Sequence, residues 1–404
     1  MAKFALPNLN RGHLRRLPRG IWALGLVSLW MDISSEMIHA LLPIYLVSVM
    51  GASMVTVGVI EGMAEAIAAI TKLFSGALSD WLGKRKILAV IGYGLAAVTK
   101  PIFPLAPTIG WLIGARFIDR VGKGIRGAPR DALIADLAPA ELRGASFGLR
   151  QTLDTIGAFL GPLIAVLLMW LTANNIPLVF WFAILPAFIA VTLLITLVPE
   201  PERSKDLPKV KSPLNLRDLR HLGAPFWSVV AVAAVFTLAR FSEAFLILKA
   251  HAEGAPTGLI PIVLVVMNVF YALAAYPAGV LSDGTSRLRV LAIGMGLLIA
   301  ADLTFAMMPG LIGVFAGLAL WGVHMGFSQG VFSSLVADTA PTHLRGTAFG
   351  MLNLITGVAI LLASVLAGLL WDTVGAQGTF LAGAALACVA LVGLMPMHRM
   401  LHPA

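Results

Sequence analysis

The sequence predicts an all-α integral membrane protein of twelve transmembrane helices, arranged as two parallel six-helix repeats. Composition gives the class: of 404 residues 59% are hydrophobic and 12% charged, with 40 glycines and a mean hydropathy of +0.91. A soluble domain carries roughly 25% charged residues. Duplication gives the arrangement. "ADLAPAELRGASFG" (135–148) returns as "ADTAPTHLRGTAFG" (337–350), 202 residues on, and "SGALSDWLGKRKIL" (75–88) returns as "AGVLSDGTSRLRVL" (278–291), 203 on. Ser35-Glu36 and Ser242-Glu243 form a weaker third pair. Matches in the same order within both halves mark a parallel repeat.

Taken in order, apolar segments long enough to cross a hydrocarbon core of roughly 30 Å, separated by Gly, Pro or charged residues, fall at 21–49, 55–79, 87–106, 109–134, 146–172, 177–198, 226–249, 257–281, 289–308, 311–336, 347–371 and 377–397. The N-terminal segment 1–20 is basic but no cleavage pattern follows the first apolar run, which reads as a retained span. Six spans fill residues 21–198. Residues 199–225, rich in Pro and charge, read as a linker, and a second six-span bundle occupies 226–398, followed by a tail at 399–404.

Loop charges orient the chain. Lys3, Arg11, Arg15, Arg16, Arg19, Lys84, Arg85, Lys86, Arg143, the linker cations, Arg287, Arg289, Arg345 and Arg399 fall on one side, whereas the opposite loops leave only Lys100 and Lys249 near their face. The positive-inside rule makes both termini cytoplasmic. The net charge of +9 is therefore a topological signal, and no nucleic-acid partner is expected. The single Cys388 excludes a disulfide framework or thiolate cluster. Met31, Met37, Met50, Met54 and Met63 have no regular ligand spacing, so no metal site and no cofactor are expected.

Charged residues inside the spans carry the functional signal. Asp32, Ser35, Glu36 and His39 share one face of the first span at i, i+3, i+4, i+7. Glu61, Glu65 and Lys72 do so in the second, Arg116, Asp119, Arg120 and Lys123 in the fourth, and Arg150 and Asp154 in the fifth. A charge at a helix centre costs on the order of 2.5–3.5 kcal/mol on insertion scales, so each must face a water-filled cavity or find a partner. Both readings stand for most of these residues, with Glu65–Lys72 and Arg150–Asp154 as candidate structural pairs. Asp32 and Glu36, two carboxyls one turn apart, fit proton carriage. His39 reads as a relay member or as a cap to the cavity. In the second half Arg240 and Glu243, at i+3 in the seventh span, read as substrate contacts or as an intrahelical pair; Asn268, Asn353, His324 and Gln329 add polar groups whose other reading is helix-to-helix bonding.

"GALSDWLGKRK" resembles the signature joining the second and third helices of the major facilitator superfamily, and the span count, duplication and linker extend the resemblance over the whole chain. It implies a gate at the cytoplasmic face built from Gly76, Asp80, Gly83, Lys84, Arg85 and Lys86. The second copy keeps Gly279 and Asp283 but ends in "GTSRLR", implying a weaker lock. "RFIDRVGKGIRGAPRD" looks like the arginine-glycine motif of the fourth helix, in which Arg116 would tune a nearby carboxylate. "DTIGAFLGPLIA" resembles the antiporter motif of the fifth helix through Gly157, Gly161 and Pro162, without its final glycine pair; 202 residues on stand Ala359, Ala363 and Ser364.

These readings combine into a proton-coupled secondary transporter working by alternating access, exporting small amphipathic or cationic compounds by antiport; uptake of a nutrient, metal or metal-chelate by symport is the alternative. Asp32, Glu36, His39 and Arg116 are the expected coupling residues, and Glu61, Glu65, Arg150, Asp154, Arg240 and Glu243 the expected substrate-cavity residues. The expected partners are a small-molecule substrate, protons and the lipid bilayer, with the chain acting as a monomer in a bacterial inner membrane. No Walker, HExxH or GxSxG pattern points to an enzyme.

Overall fold

The computed structural model describes residues 17–82, 84–139, 142–200, 222–341 and 344–401. Most of the N-terminal segment and of the linker, together with Gly83 and the side chains of Asp80 and Asp283, lie outside the described residues. The helices of the first half are α1 (Arg19–His39), α2 (Met54–Leu82), α3 (Arg85–Thr99), α4 (Ile109–Leu137), α5 (Arg143–Leu171) and α6 (Ile184–Leu197). Those of the second are α7 (Ala224–Ala239), α8 (Ile262–Gly284), α9 (Arg287–Met307), α10 (Gly310–Thr339), α11 (345–374) and α12 (376–401), the last two forming one helical run broken at Gly375, whose φ is 82°.

Among the described residues, ten segments are long and apolar enough to cross a membrane. The difference from twelve has two sources. One of the ten, Thr347–Leu401, is 55 residues long and contains both α11 and α12; α4 is too charged to qualify by hydropathy.

Each half packs alike. α1 lies on α5 and α6, α4 on α2 and α3, and α3 on α6; six helices later α7 lies on α11 and α12, α10 on α8 and α9, and α9 on α12. The halves meet through two equivalent contacts, α2 on α11 and α8 on α5. The α2–α11 contact is backbone-close: a Cβ on Gly58 would stand 2.1 Å from the Ser364 carbonyl oxygen. In α5 the two motif glycines serve the same end within the half, since a Cβ on Gly157 would meet the Leu29 carbonyl oxygen at 2.7 Å and one on Gly161 the Glu36 Cβ at 2.7 Å.

Of the interrupted spans, the first and the seventh bear on the cavity. After His39, α1 gives way to a short turn (Leu42–Ile44) and a π-helical stretch (Tyr45–Val49), because Pro43 has no N–H to continue the ladder. α7 stops at Ala239 and resumes at Ala244–Ala252. No proline explains this second break; side chains stabilise it, the Ser242 N–H donating to Ser364 Oγ at 3.2 Å and the Ala244 N–H to Ser242 Oγ at 3.2 Å.

These outer pieces close one end of the molecule. Leu42–Ile44 packs on Ala244–Ala252, with Leu41, Leu42, Ile44, Phe245, Leu246 and Ile247 fully buried. Asp372 at the end of α11 caps the start of α2 in the other half, accepting the Met54 N–H on Oδ1 at 3.2 Å and the Val55 N–H on Oδ2 at 3.0 Å. A carboxylate there satisfies orphan donors and meets the positive end of the helix dipole. This closed end is called the far face below, and the face where α1 begins and α12 ends the near face.

Candidate functional site

A cavity of about 530 Å³ lies between the halves. Its wall takes Glu36 and His39 from α1, Glu61, Glu65 and Ala69 from α2, Arg120 and Lys123 from α4, Phe236 and Arg240 to Glu243 from α7 and its break, Ser328 to Ser333 in part from α10, and Leu352 to Ile360 in part from α11. The α10 residues lie in that helix's second half and the α11 residues in its first, so the cavity runs from mid-depth toward the near face. With the far end sealed, access is from one side only.

Ion pairs organise the wall in the first half. Arg116 donates to Glu61 Oε2 at 2.7 Å and lies 3.1 Å from His39 Nδ1. Arg120 pairs with Glu65 at 3.0 Å. Lys100 Nζ reaches Asp119 Oδ1 at 2.9 Å and Ser35 Oγ at 3.2 Å. Glu61, Arg116, Lys100 and Asp119 are each at most 5% exposed. So shielded from bulk solvent, each charge depends on its partner, and losing one partner of a buried pair costs about 3–5 kcal/mol.

The expected residues separate into three places. Glu36, His39, Glu61, Glu65, Arg240 and Glu243 line the cavity, as do Gln329 and Asn353. Arg116 stands behind Glu61 and His39 and forms no hydrogen bond or ion pair with Asp32 or Glu36. Asp32, Arg150 and Asp154 do not line the cavity. Arg150 pairs with Asp154 at 2.6 Å, Arg130 donates to Ser28 Oγ at 3.2 Å and approaches Asp131 at 3.1 Å and Asp154 at 4.0 Å, and Asp32 packs at the α1–α5 contact, its Cβ 2.9 Å from where a Cβ on Gly157 would stand. The supposed Glu65–Lys72 pair gives way to Glu65–Arg120. Arg240 and Glu243 are separated by non-helical backbone rather than by a helical turn, and form no ion pair with each other.

Arg120 and Lys123 share the charged helical face that spacing defines, but no motif marks either as a cavity residue. The break in α7 has no Pro or Gly to signal it. Buried Asp302 and His324 stay away from the cavity, beside Phe241 and Trp321.

At the near face Arg85 donates to the Ala132 carbonyl at 2.9 Å and pairs with Asp136 at 2.6 Å, while the Arg85 and Lys86 backbone N–H groups donate to Glu200 at 3.0 and 3.2 Å. Lys84 is exposed. The second copy repeats part of this arrangement: Arg287 donates to the Ser334 carbonyl and pairs with Asp338, each 202 residues beyond its first-half counterpart. Gly76 faces Ala128, and a Cβ on Gly76 would stand 3.2 Å from the Ala128 Cβ. Nothing lies within 4 Å of the same position on Gly279, so close helix approach holds for the first copy alone.

Two six-helix halves around a one-sided polar cavity define a membrane transporter. The family model described as Major Facilitator Superfamily matches residues 24–267 and again 244–403, and the chain belongs to that superfamily. It is 32% identical over 397 residues to an uncharacterised MFS-type transporter of Methanocaldococcus jannaschii, covering 96% of this chain and 97% of the relative. Among solved structures it resembles the nucleoside transporter NupG, with a TM-score of 0.76 at 16% identity over 94% of this chain and 99% of that one. A bacterial homologue of the human lysosomal transporter Spinster, inward-facing and unoccupied, gives a TM-score of 0.76 at 16% identity over 95% and 98%. The chain is a multi-pass membrane protein of the secondary transporter class.

Proposed function

We propose that this transporter is proton-coupled and exports small amphipathic molecules in exchange for protons, with its near face and both chain ends in the cytoplasm of a cell bounded by this membrane. The cavity carries the reading. It is closed at the far face, approaches the near face, and places Glu36 beside His39 at its innermost part. A carboxyl exposed to one side in one arrangement of the halves, and to the other side in the next, can take and release protons across the membrane.

In this scheme Glu36 exchanges the proton with the cavity, His39 links it to the Arg116–Glu61 pair, and Asp32 serves the same chain from the α1–α5 contact. Arg116 holds Glu61 in place and orients His39, so a change in the α1–α4 distance alters what Glu36 faces. Export is supported by the Gly157–Gly161–Pro162 motif at the α1–α5 contact and by the near-face basic clusters, which orient the open cavity toward the cytoplasm. The near-face clamps of Arg85 and Arg287 form the gate elements. The chain acts as a monomer, since the cavity is built wholly from its own two halves.

The test uses the full chain in proteoliposomes, with a compound panel first scored for resistance in a drug-sensitive host. A pH gradient drives flux of the active compound, and Glu36→Gln and Asp32→Asn uncouple it. Flux indifferent to the gradient overturns proton coupling, and sensitisation of the host in place of resistance overturns export.

A further inference from the structure

We propose that the cavity takes an amphoteric molecule, one bearing a cationic and an anionic group on an apolar body, held from both halves at once. This rests on the transport reading above and names its substrate class. Among the described residues, the charges on the cavity wall divide into two sets. Glu61, Glu65 and Arg120 are already engaged in ion pairs. Glu36, Lys123, Arg240 and Glu243 enter no ion pair and no side-chain hydrogen bond.

The second set is balanced in sign and in origin. Each half supplies one acid and one base: Glu36 and Lys123 from the first, Glu243 and Arg240 from the second. Arg240 and Glu243 attract each other most strongly among the neighbouring charges without closing an ion pair, and Glu36, Glu65 and Lys123 of the first half lie close enough to act on Glu243, as Glu65 does on Arg240. A polycation or polyanion meets as much repulsion as attraction here. A singly charged ligand leaves the two charges of its own sign without a counter-charge. An amphoteric ligand engages both.

Alternating access sharpens the requirement. When the halves close around the ligand these four charges lose their water, and unpaired buried charges are costly. A molecule carrying both signs partners one acid and one base and leaves one acid and one base to neutralise each other, so its enclosure is easier than that of a singly charged ligand, which leaves an odd charge unmatched. Arg240 gives the planar donor fork suited to a carboxylate, sulfonate or phosphate. Glu36 accepts an ammonium group, and because a proton and an ammonium group exclude each other on one carboxylate, the two exchange. Phe236, Phe241, Phe332, Leu352 and Ile360 give the apolar wall, and a volume of about 530 Å³ falls within the range of drug-sized sites.

The experiment compares matched probes on the purified full chain: phenylalanine, its amide (cation alone) and its N-acetyl form (anion alone), with the same three forms of tryptophan and of phenylalanyl-phenylalanine. Binding is followed by thermal shift and flux in proteoliposomes. In at least one body the amphoteric form is expected to bind about tenfold or more tighter than both singly charged forms, a difference of about 1.4 kcal/mol. Arg240→Gln then abolishes its advantage over the amide, and Glu36→Gln its advantage over the N-acetyl form. The inference falls if no amphoteric form binds, or if a singly charged form binds as tightly in every body that binds. These comparisons use the unaltered protein, so they stand even if a variant fails to fold. Proton-driven flux of another compound, persisting alongside that negative result, removes the amphoteric assignment and leaves the proposed transport intact.

Discussion

Glu61 is 1% exposed and holds Arg116 at 2.7 Å, with His39 as the third member. Glu61→Ala strands the guanidinium, and the protein is expected to lose about 3–5 kcal/mol of stability. Adding Arg116→Met should restore most of it, measured by thermal unfolding in detergent; an unchanged melting temperature for the single variant contradicts the pairing. A second side-chain prediction lies outside the spans. Glu253 accepts from Lys249 and, on Oε2, from the Gly310 N–H at 2.6 Å, and the Lys249 ammonium followed by that N–H holds its carboxyl below the usual range. A carboxyl depressed on folding stabilises fully above its unfolded pKa, about 4.3, and that contribution is lost as pH falls through the lower folded value. Glu253→Gln should therefore flatten the acid limb of the melting-temperature profile while a wild-type control keeps it. The charged faces of α1, α2 and α4 were legible at this scale because helical spacing alone groups them. Which acid meets which base was not, since Arg120 and Lys72 are equally plausible partners for Glu65 until the α2–α4 contact is known.

The interrupted helices and their caps set what can move. The break in α7 leaves Arg240 and Glu243 at the cavity wall without the constraint of a helical turn, and the Ser364 hydroxyl on α11 satisfies the Ser242 N–H. Ser364 occupies the repeat position of Pro162, so one half uses small residues for close approach where the other uses a hydroxyl to cap a break. That exchange explains why the first interruption was signalled by Pro43 while the second, made by a partner more than a hundred residues away, was not. Asp372 ties the far ends of the halves by capping α2. Asp372→Asn keeps the shape but removes the charge facing the helix dipole, worth typically 0.3–1 kcal/mol. Spin labels introduced as Trp170→Cys and Ile312→Cys, in a Cys388→Ser background, should show a larger share of long far-face distances in this variant. An unchanged distance distribution contradicts a role for Asp372 in holding the far face shut.

Over the whole molecule, the duplication is legible both in the repeated motifs and in the helix contacts, which recur six helices later and join the halves through α2–α11 and α5–α8. The charge distribution breaks that symmetry. The buried ion pairs concentrate in the first half, whose helices α1, α2 and α4 carry them, whereas the second half offers Arg240 and Glu243 to the cavity and buries Asp302 and His324 elsewhere. The proposed proton handling in the first half and substrate contact from both rest on this division. The direct measurement is flux of a resistance-scored compound into proteoliposomes holding the full chain, with and without an imposed pH gradient, for the unaltered protein and for Glu36→Gln. The expected result is flux stimulated about tenfold or more by the gradient, a barrier difference of about 1.4 kcal/mol, and insensitive to it in the variant. Equal flux with and without the gradient in the unaltered protein, or full gradient response in Glu36→Gln, contradicts proton coupling through this cavity.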